Sequence, residues 1–127
     1  MKPAHIKTAP VFRMFDVDKA KAFYVDWLGF SWDWEHRHAD DFPLFAGLSL
    51  GDMHLHLTEH HGDCAPGGLA MFFIHGIAEY HAELMAKGYA FNRPGLEDMP
   101  WGQQVCAIDP FHNKVHFIEP KGSEGDA

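Results

Sequence analysis

The chain has 127 residues, enough for one domain with a real core, and its 46% hydrophobic and 14% aromatic content excludes a disordered segment. A formal charge of −8 excludes the basic footprint of a nucleic-acid phosphate binder and suits a cationic partner. Cys64 and Cys106 lack CxxC spacing and read as reduced thiols of a cytoplasmic protein. No apolar core follows Met1, and the longest apolar run, Leu69 to Ile74, is too short to cross a bilayer, so a soluble protein with no membrane partner is expected.

In chain order, Lys7 to Phe15 reads as a strand, with Pro10 placing it at an edge or a start. Asp16 and Asp18 are N-cap candidates for a helix whose Ala20, Phe23, Tyr24, Trp27 and Leu28 form one apolar face. Gly29 ends that helix, and Phe30 to Glu35 alternates with period two, which predicts a strand with Phe30, Trp32 and Trp34 on one face. Leu44 to Leu50 is a further strand, joined through Gly51-Asp52 to the strand Met53-His54-Leu55-His56-Leu57-Thr58. The polar run Glu59-His60-His61-Gly62-Asp63 closes it as a solvated loop.

After a Pro-Gly-Gly linker the order recurs: strand Leu69 to Ile74, a helix from Gly76 carrying Ile77, Tyr80, His81, Leu84 and Met85, then Gly88. A short strand Tyr89 to Phe91, a long loop Asn92 to Gly102 and two strands, Gln103 to Ile108 and Lys114 to Glu119, complete it. The halves repeat at about 60 residues, pairing Ala9 with Leu69 and His56 with His116. The pattern predicts one domain over 1–127, α+β, made of two βαβββ modules at about 7–61 and 69–119. Each module is a curled mixed sheet with a concave pocket and its helix on the outer side, and 120–127 is a flexible tail.

Phe15-Asp16-Val17-Asp18-Lys19-Ala20-Lys21-Ala22-Phe23-Tyr24 with Leu28-Gly29-Phe30 resembles the opening of the glyoxalase/bleomycin resistance/dioxygenase superfamily, the vicinal-oxygen-chelate fold. Pro100-Trp101-Gly102 leading to Asp109-Pro110, Asn113 and Val115-His116-Phe117 is similar to the closing hairpin of its bleomycin-resistance branch. The resemblance to the metalloenzymes implies ligand positions on or near Ala9, His56, Leu69 and His116, of which only the histidines can bind metal. The resemblance to the resistance branch implies a homodimer whose aromatic groove sequesters a flat cationic antibiotic without breaking a bond. A family glycine in the last turn is here His112, so either that turn is reshaped or Asn113 takes the left-handed conformation.

The ligand-binding candidates are therefore Trp32, Trp34, Phe45, His54, His56, Trp101, Phe111 and His116, with Trp101 as anchor. The alternative is a lyase, isomerase or dioxygenase in which His56 and His116 hold a divalent metal (Zn, Ni, Fe or Mn) as a Lewis acid. Against both stands the ordinary reading of histidines hydrogen-bonded within a sheet, and of His81 as a satisfied core residue. Neither cysteine has a neighbour that would activate it, and no nucleophile elbow, phosphate loop or dinucleotide fingerprint is present.

Overall fold

The computed structural model describes residues 1–122 and places each half of the chain in its own four-stranded sheet. The first half contains β1 (Val11–Arg13), α1 (Val17–Lys21), β2 (Ser31–His36), β3 (Phe45–Leu50) and β4 (Met53–Thr58). The second contains β5 (Leu69–Phe73), α2 (Ile77–Lys87), β6 (Glu97–Met99), β7 (Gly102–Ile108) and β8 (Lys114–Pro120). The strand orders, β1-β4-β3-β2 and β5-β8-β7-β6, are the same topology twice, each with one parallel pair among antiparallel neighbours. This is the expected α+β arrangement, and neither sheet closes into a barrel.

Asp16 caps α1 by accepting from the Lys19 amide at 3.0 Å. After five α-helical residues the chain widens into a π-helical segment, Ala22–Trp27, in which the Leu28 amide donates to the Phe23 carbonyl. Phe23, Tyr24, Trp27 and Leu28 are all buried, as their spacing predicts. Trp27 stacks on Tyr89 at 4.7 Å and donates its indole N–H to the Leu84 carbonyl of α2 at 3.0 Å. Side chains of α2 answer the last carbonyls of the first helix: Tyr80 donates to Leu28 at 2.6 Å and Lys87 to Trp27 at 2.8 Å. Glu119 of β8 accepts from the first amide of α2, Ile77, at 2.9 Å. Both helices and the inward faces of both sheets share one core. Among the described residues, no helix covers the opposite faces of the sheets.

The halves are joined by a buried polar knot. Asp109, in the β7–β8 turn, accepts from Tyr24 Oη at 2.7 Å, from Asn113 Nδ2 at 2.9 Å and from the Phe111 and Asn113 amides. Asn113 in turn donates to the Arg13 carbonyl of β1 at 2.8 Å and accepts from the linker amides of Gly67 and Gly68. Burial raises the Asp109 carboxyl above its ordinary range, while the four hydrogen bonds pull the other way.

Several expectations are corrected. The first strand is three residues rather than nine, and residues 1–8 are exposed without regular structure. Tyr89 to Phe91 is not a strand: Tyr89 is turned inward to stack on Trp27, and the sixth strand forms at Glu97–Met99, inside the expected loop. His81 is partly buried and bonded through Nε2 to the Pro94 carbonyl at 2.8 Å, as a satisfied core histidine should be. Of the expected flexible tail, Pro120 ends β8, Lys121 and Gly122 form a turn, and 123–127 lie outside the described residues.

The last turn resolves in favour of His112, which itself adopts φ +71°. A left-handed non-glycine residue costs about 1–2 kcal/mol. His112→Gly removes that cost against the extra chain entropy of glycine. It is expected to stabilise the protein by about 0.5–1 kcal/mol, raising the thermal midpoint by roughly 3 °C in a calorimetric scan.

Candidate functional site

The free face of the first sheet follows from register. Leu55 and Leu57 point to the core, so His54, His56 and Thr58 of β4 point away from it. Their partners on that face are Val11 and Arg13 of β1, and Ser49, Gly47 and Phe45 of β3. Period-two alternation would put Trp32 and Trp34 on one face, but a bulge at Asp33 makes them oppose consecutive residues, Leu48 and Gly47. Trp32 therefore turns to the core side, under the Lys21 ammonium, and its indole N–H finds no partner among the described residues. Trp34 alone turns to the free face.

There the Trp34 indole lies directly on Gly47: a Cβ at residue 47 would fall 2.3–2.5 Å from three indole atoms. The ring stacks with Phe45 at 5.8 Å and 12°, and both present their faces or edges to the His56 imidazole at 5.2 and 5.5 Å. With 42% of its surface exposed, Trp34 offers one flat side to a ligand. Beyond Phe45 the face runs into a recess of about 300 Å³ lined by His36, His38, His60 and Asp63. Of these residues, His60 and Asp63 belong to the run that the sequence predicts as a solvated loop. The signal that joins them is the β2–β3 pairing, which sets His36 opposite Phe45.

The free face of the second sheet carries Leu69, Met71 and Phe73 of β5, Lys114, His116 and Ile118 of β8, and Gln104, Cys106 and Ile108 of β7. Trp101, half-exposed at the β6–β7 turn, donates to Gln104 Oε1 at 3.3 Å. The following Gly102 is obligatory, because a Cβ there would lie 2.1 Å from the Glu119 carbonyl oxygen. Phe111, expected as a groove wall, is instead buried in the core, its ring 6.0 Å from that of Phe15. The carboxylate that accepts from its amide holds it there. His54 lines a separate cleft of about 810 Å³, between residues 5–10 and the strand Ala70 to Phe73.

His56 and His116 occupy equivalent central strands of different sheets, and among the described residues no ring contact joins them. The residues opposite them on the first strand of each half are Val11 and Met71, also 60 apart. With Ala9, Val11 and Leu69 offering hydrocarbon, the positions implied for a divalent metal lack the oxygen and nitrogen donors such an ion takes. Among the described residues no three His, Cys, Asp or Glu side chains are grouped to hold one.

Burial lowers both imidazole pKa values below 6.5, assisted at His56 by the charges of Lys7 and His54. At His116 the Lys114 charge also lowers the value, and Glu97 opposes it. A base with a depressed native value is protonated more readily in the unfolded chain. Its contribution to stability is therefore complete above pH 6.5 and is lost as the pH falls through the native values. Proton NMR titration is expected to place both midpoints below 6.5. Gly47→Ala is expected to displace the Trp34 ring, shift its fluorescence and cost about 1–3 kcal/mol in urea denaturation.

Comparison with known proteins follows the same lines. The sequence profile described as "Glyoxalase superfamily protein" matches residues 4–124. Comparison with curated protein sequences finds no significant match. Among solved structures, the chain is similar to TnmS3, an antibiotic binding protein from Streptomyces sp. CB03234. Identity is 23%, coverage 95% of this chain and 99% of that one, and the TM-score 0.74. It is similar to the bleomycin-binding protein of the bleomycin-producing Streptomyces verticillus, complexed with copper(II)-bleomycin. Here the identity is 27%, coverage 94% and 100%, and the TM-score 0.70. A bleomycin resistance determinant encoded on the transposon Tn5 matches at 21% identity, 92% and 99% coverage and a TM-score of 0.72. With the duplicated fold and a profile match across almost its whole length, the chain belongs to the glyoxalase superfamily.

Proposed function

We propose that this protein sequesters a flat, cationic or amphipathic small molecule, of the bleomycin type, against its aromatic free faces, without breaking a bond and without a divalent metal. The observation that carries the reading is the Trp34 ring seated on Gly47 and backed by Phe45 and His56, with one side open. Trp101 supplies a second exposed indole on the other sheet. The net charge of −8 favours a cationic guest, and imidazoles held neutral near pH 7 add no positive charge to repel it. The bleomycin-binding relatives support the same ligand class.

A homodimer is part of the proposal. The edge strand β5 exposes Leu69 (50%), Met71 (49%) and Phe73 (64%), an apolar stripe beside an unpaired backbone edge. Such an edge is stabilised by being covered, and a second copy brings another aromatic face to it. Both cysteines are free thiols, which suits a reducing cytoplasmic setting where drug capture would confer resistance.

Isothermal titration with bleomycin tests the function, and sedimentation the assembly. A dimer with saturable binding is expected. Trp34→Ala and Trp101→Ala should each weaken binding by about 0.5–2 kcal/mol, and acidification below the histidine midpoints should weaken it further. Absence of heat and of any thermal shift at high micromolar drug removes this ligand class.

A further inference from the structure

The central row of the second sheet has a composition that drug capture does not use. Met71, His116 and Cys106 are direct cross-strand partners on β5, β8 and β7, so their side chains stand side by side on the free face. Neighbouring strands lie about 4.7–4.9 Å apart, so Met71 and Cys106 flank His116 on either side, and the long thioether of Met71 can lean over the imidazole toward the thiol. The first sheet supplies an internal comparison. In its equivalent row the partners of His56 are Val11 and Gly47, a hydrocarbon and a hydrogen where the second row has two sulfurs.

The histidines differ accordingly. His56 is packed by the rings of Trp34 and Phe45, whereas the Nδ1 atom of His116 is buried and finds no hydrogen-bond partner among the described residues. A buried ring nitrogen without a protein partner is commonly satisfied by an ion or a water. Gln104 Nε2 donates to Cys106 Sγ at 3.4 Å, which tethers the thiol on the strand next to that of His116.

We infer that Met71, His116 and Cys106 form a binding site for a soft monovalent cation, copper(I) being the representative of the class. A thioether, a thiolate and an imidazole are the donors that select copper(I), while magnesium, calcium and manganese require oxygen ligands that this row lacks. Zinc shares the thiolate and imidazole but draws its other ligands from cysteine, histidine and carboxylates, not from a thioether. The Cys106 thiol gives up its proton as the metal binds, so binding strengthens as the pH rises. The site shares His116 with the positions implied for a divalent metal but differs in its donors, two of the three being sulfur and one coming from β7.

The test is anaerobic competition for copper(I) against bicinchoninate, using the full chain without a histidine tag. One equivalent is expected per chain, with X-ray absorption showing a shell of two sulfurs and one nitrogen. Cys106→Ser should lower the affinity at least 100-fold and Met71→Leu about tenfold, whereas Cys64→Ser and His38→Ala should leave it unchanged. Circular dichroism checks that each variant folds, and the absorption shell of the unaltered protein gives a readout that needs no variant. Failure to compete, a shell without sulfur, indifference to Met71→Leu, or loss of binding in Cys64→Ser would each overturn the assignment.

Discussion

Everything on the two free faces depends on the buried hydrogen-bond knot around Asp109 and Asn113. Its members come from the helical segment of the first half, the end of β1, the linker and the β7–β8 turn. A carboxylate that is 4% exposed is tolerated only because four donors converge on it, and leaving one out would strand charge in the core. The knot therefore fixes the relation between two otherwise similar sheets more sharply than apolar packing alone. It also explains why His112 is driven into a left-handed conformation, since the amides on either side of it are both claimed by the same carboxylate.

Much of this architecture was legible in the sequence, because it is written in periodicities. The apolar stripe from Ala20 to Leu28, the glycines ending both helices and the 60-residue offset between His56 and His116 are local patterns that tertiary structure did not override. What alternation could not show is where a strand breaks it. The extra residue at Asp33 is an aspartate between two tryptophans, which reads as ordinary alternation, and only its consequence, the separation of Trp32 from Trp34, is visible. Phe111 illustrates a second limit. An aromatic residue in a turn reads as exposed until a buried partner, here Asp109, is known to hold its backbone inward. The sixth strand was hidden for a third reason: Glu97-Asp98-Met99 has no strand propensity and forms by pairing with Gln104 to Gly102.

The duplicated rows show how one frame supports two chemistries. Each centres on a histidine of the strand that pairs in parallel with the first strand of its half. In one row the neighbours shrink to Val11 and Gly47, which makes room for an indole; in the other they become Met71 and Cys106. The backbone is nearly indifferent to these choices, because both sets point away from the shared core. Function can therefore diverge on the free faces while the core and the knot stay under separate constraint.

The bulge at Asp33 carries this logic one step further. It works as a selector between two tryptophans that are otherwise interchangeable in the chain. Without the bulge, the same residues in strict alternation would place both rings on one face, because positions two apart on a regular strand point the same way. The contents of the aromatic face are thus set by strand register as well as by side-chain identity. A lineage carrying this fold could change what it captures by gaining or losing the bulge, with no aromatic residue gained or lost.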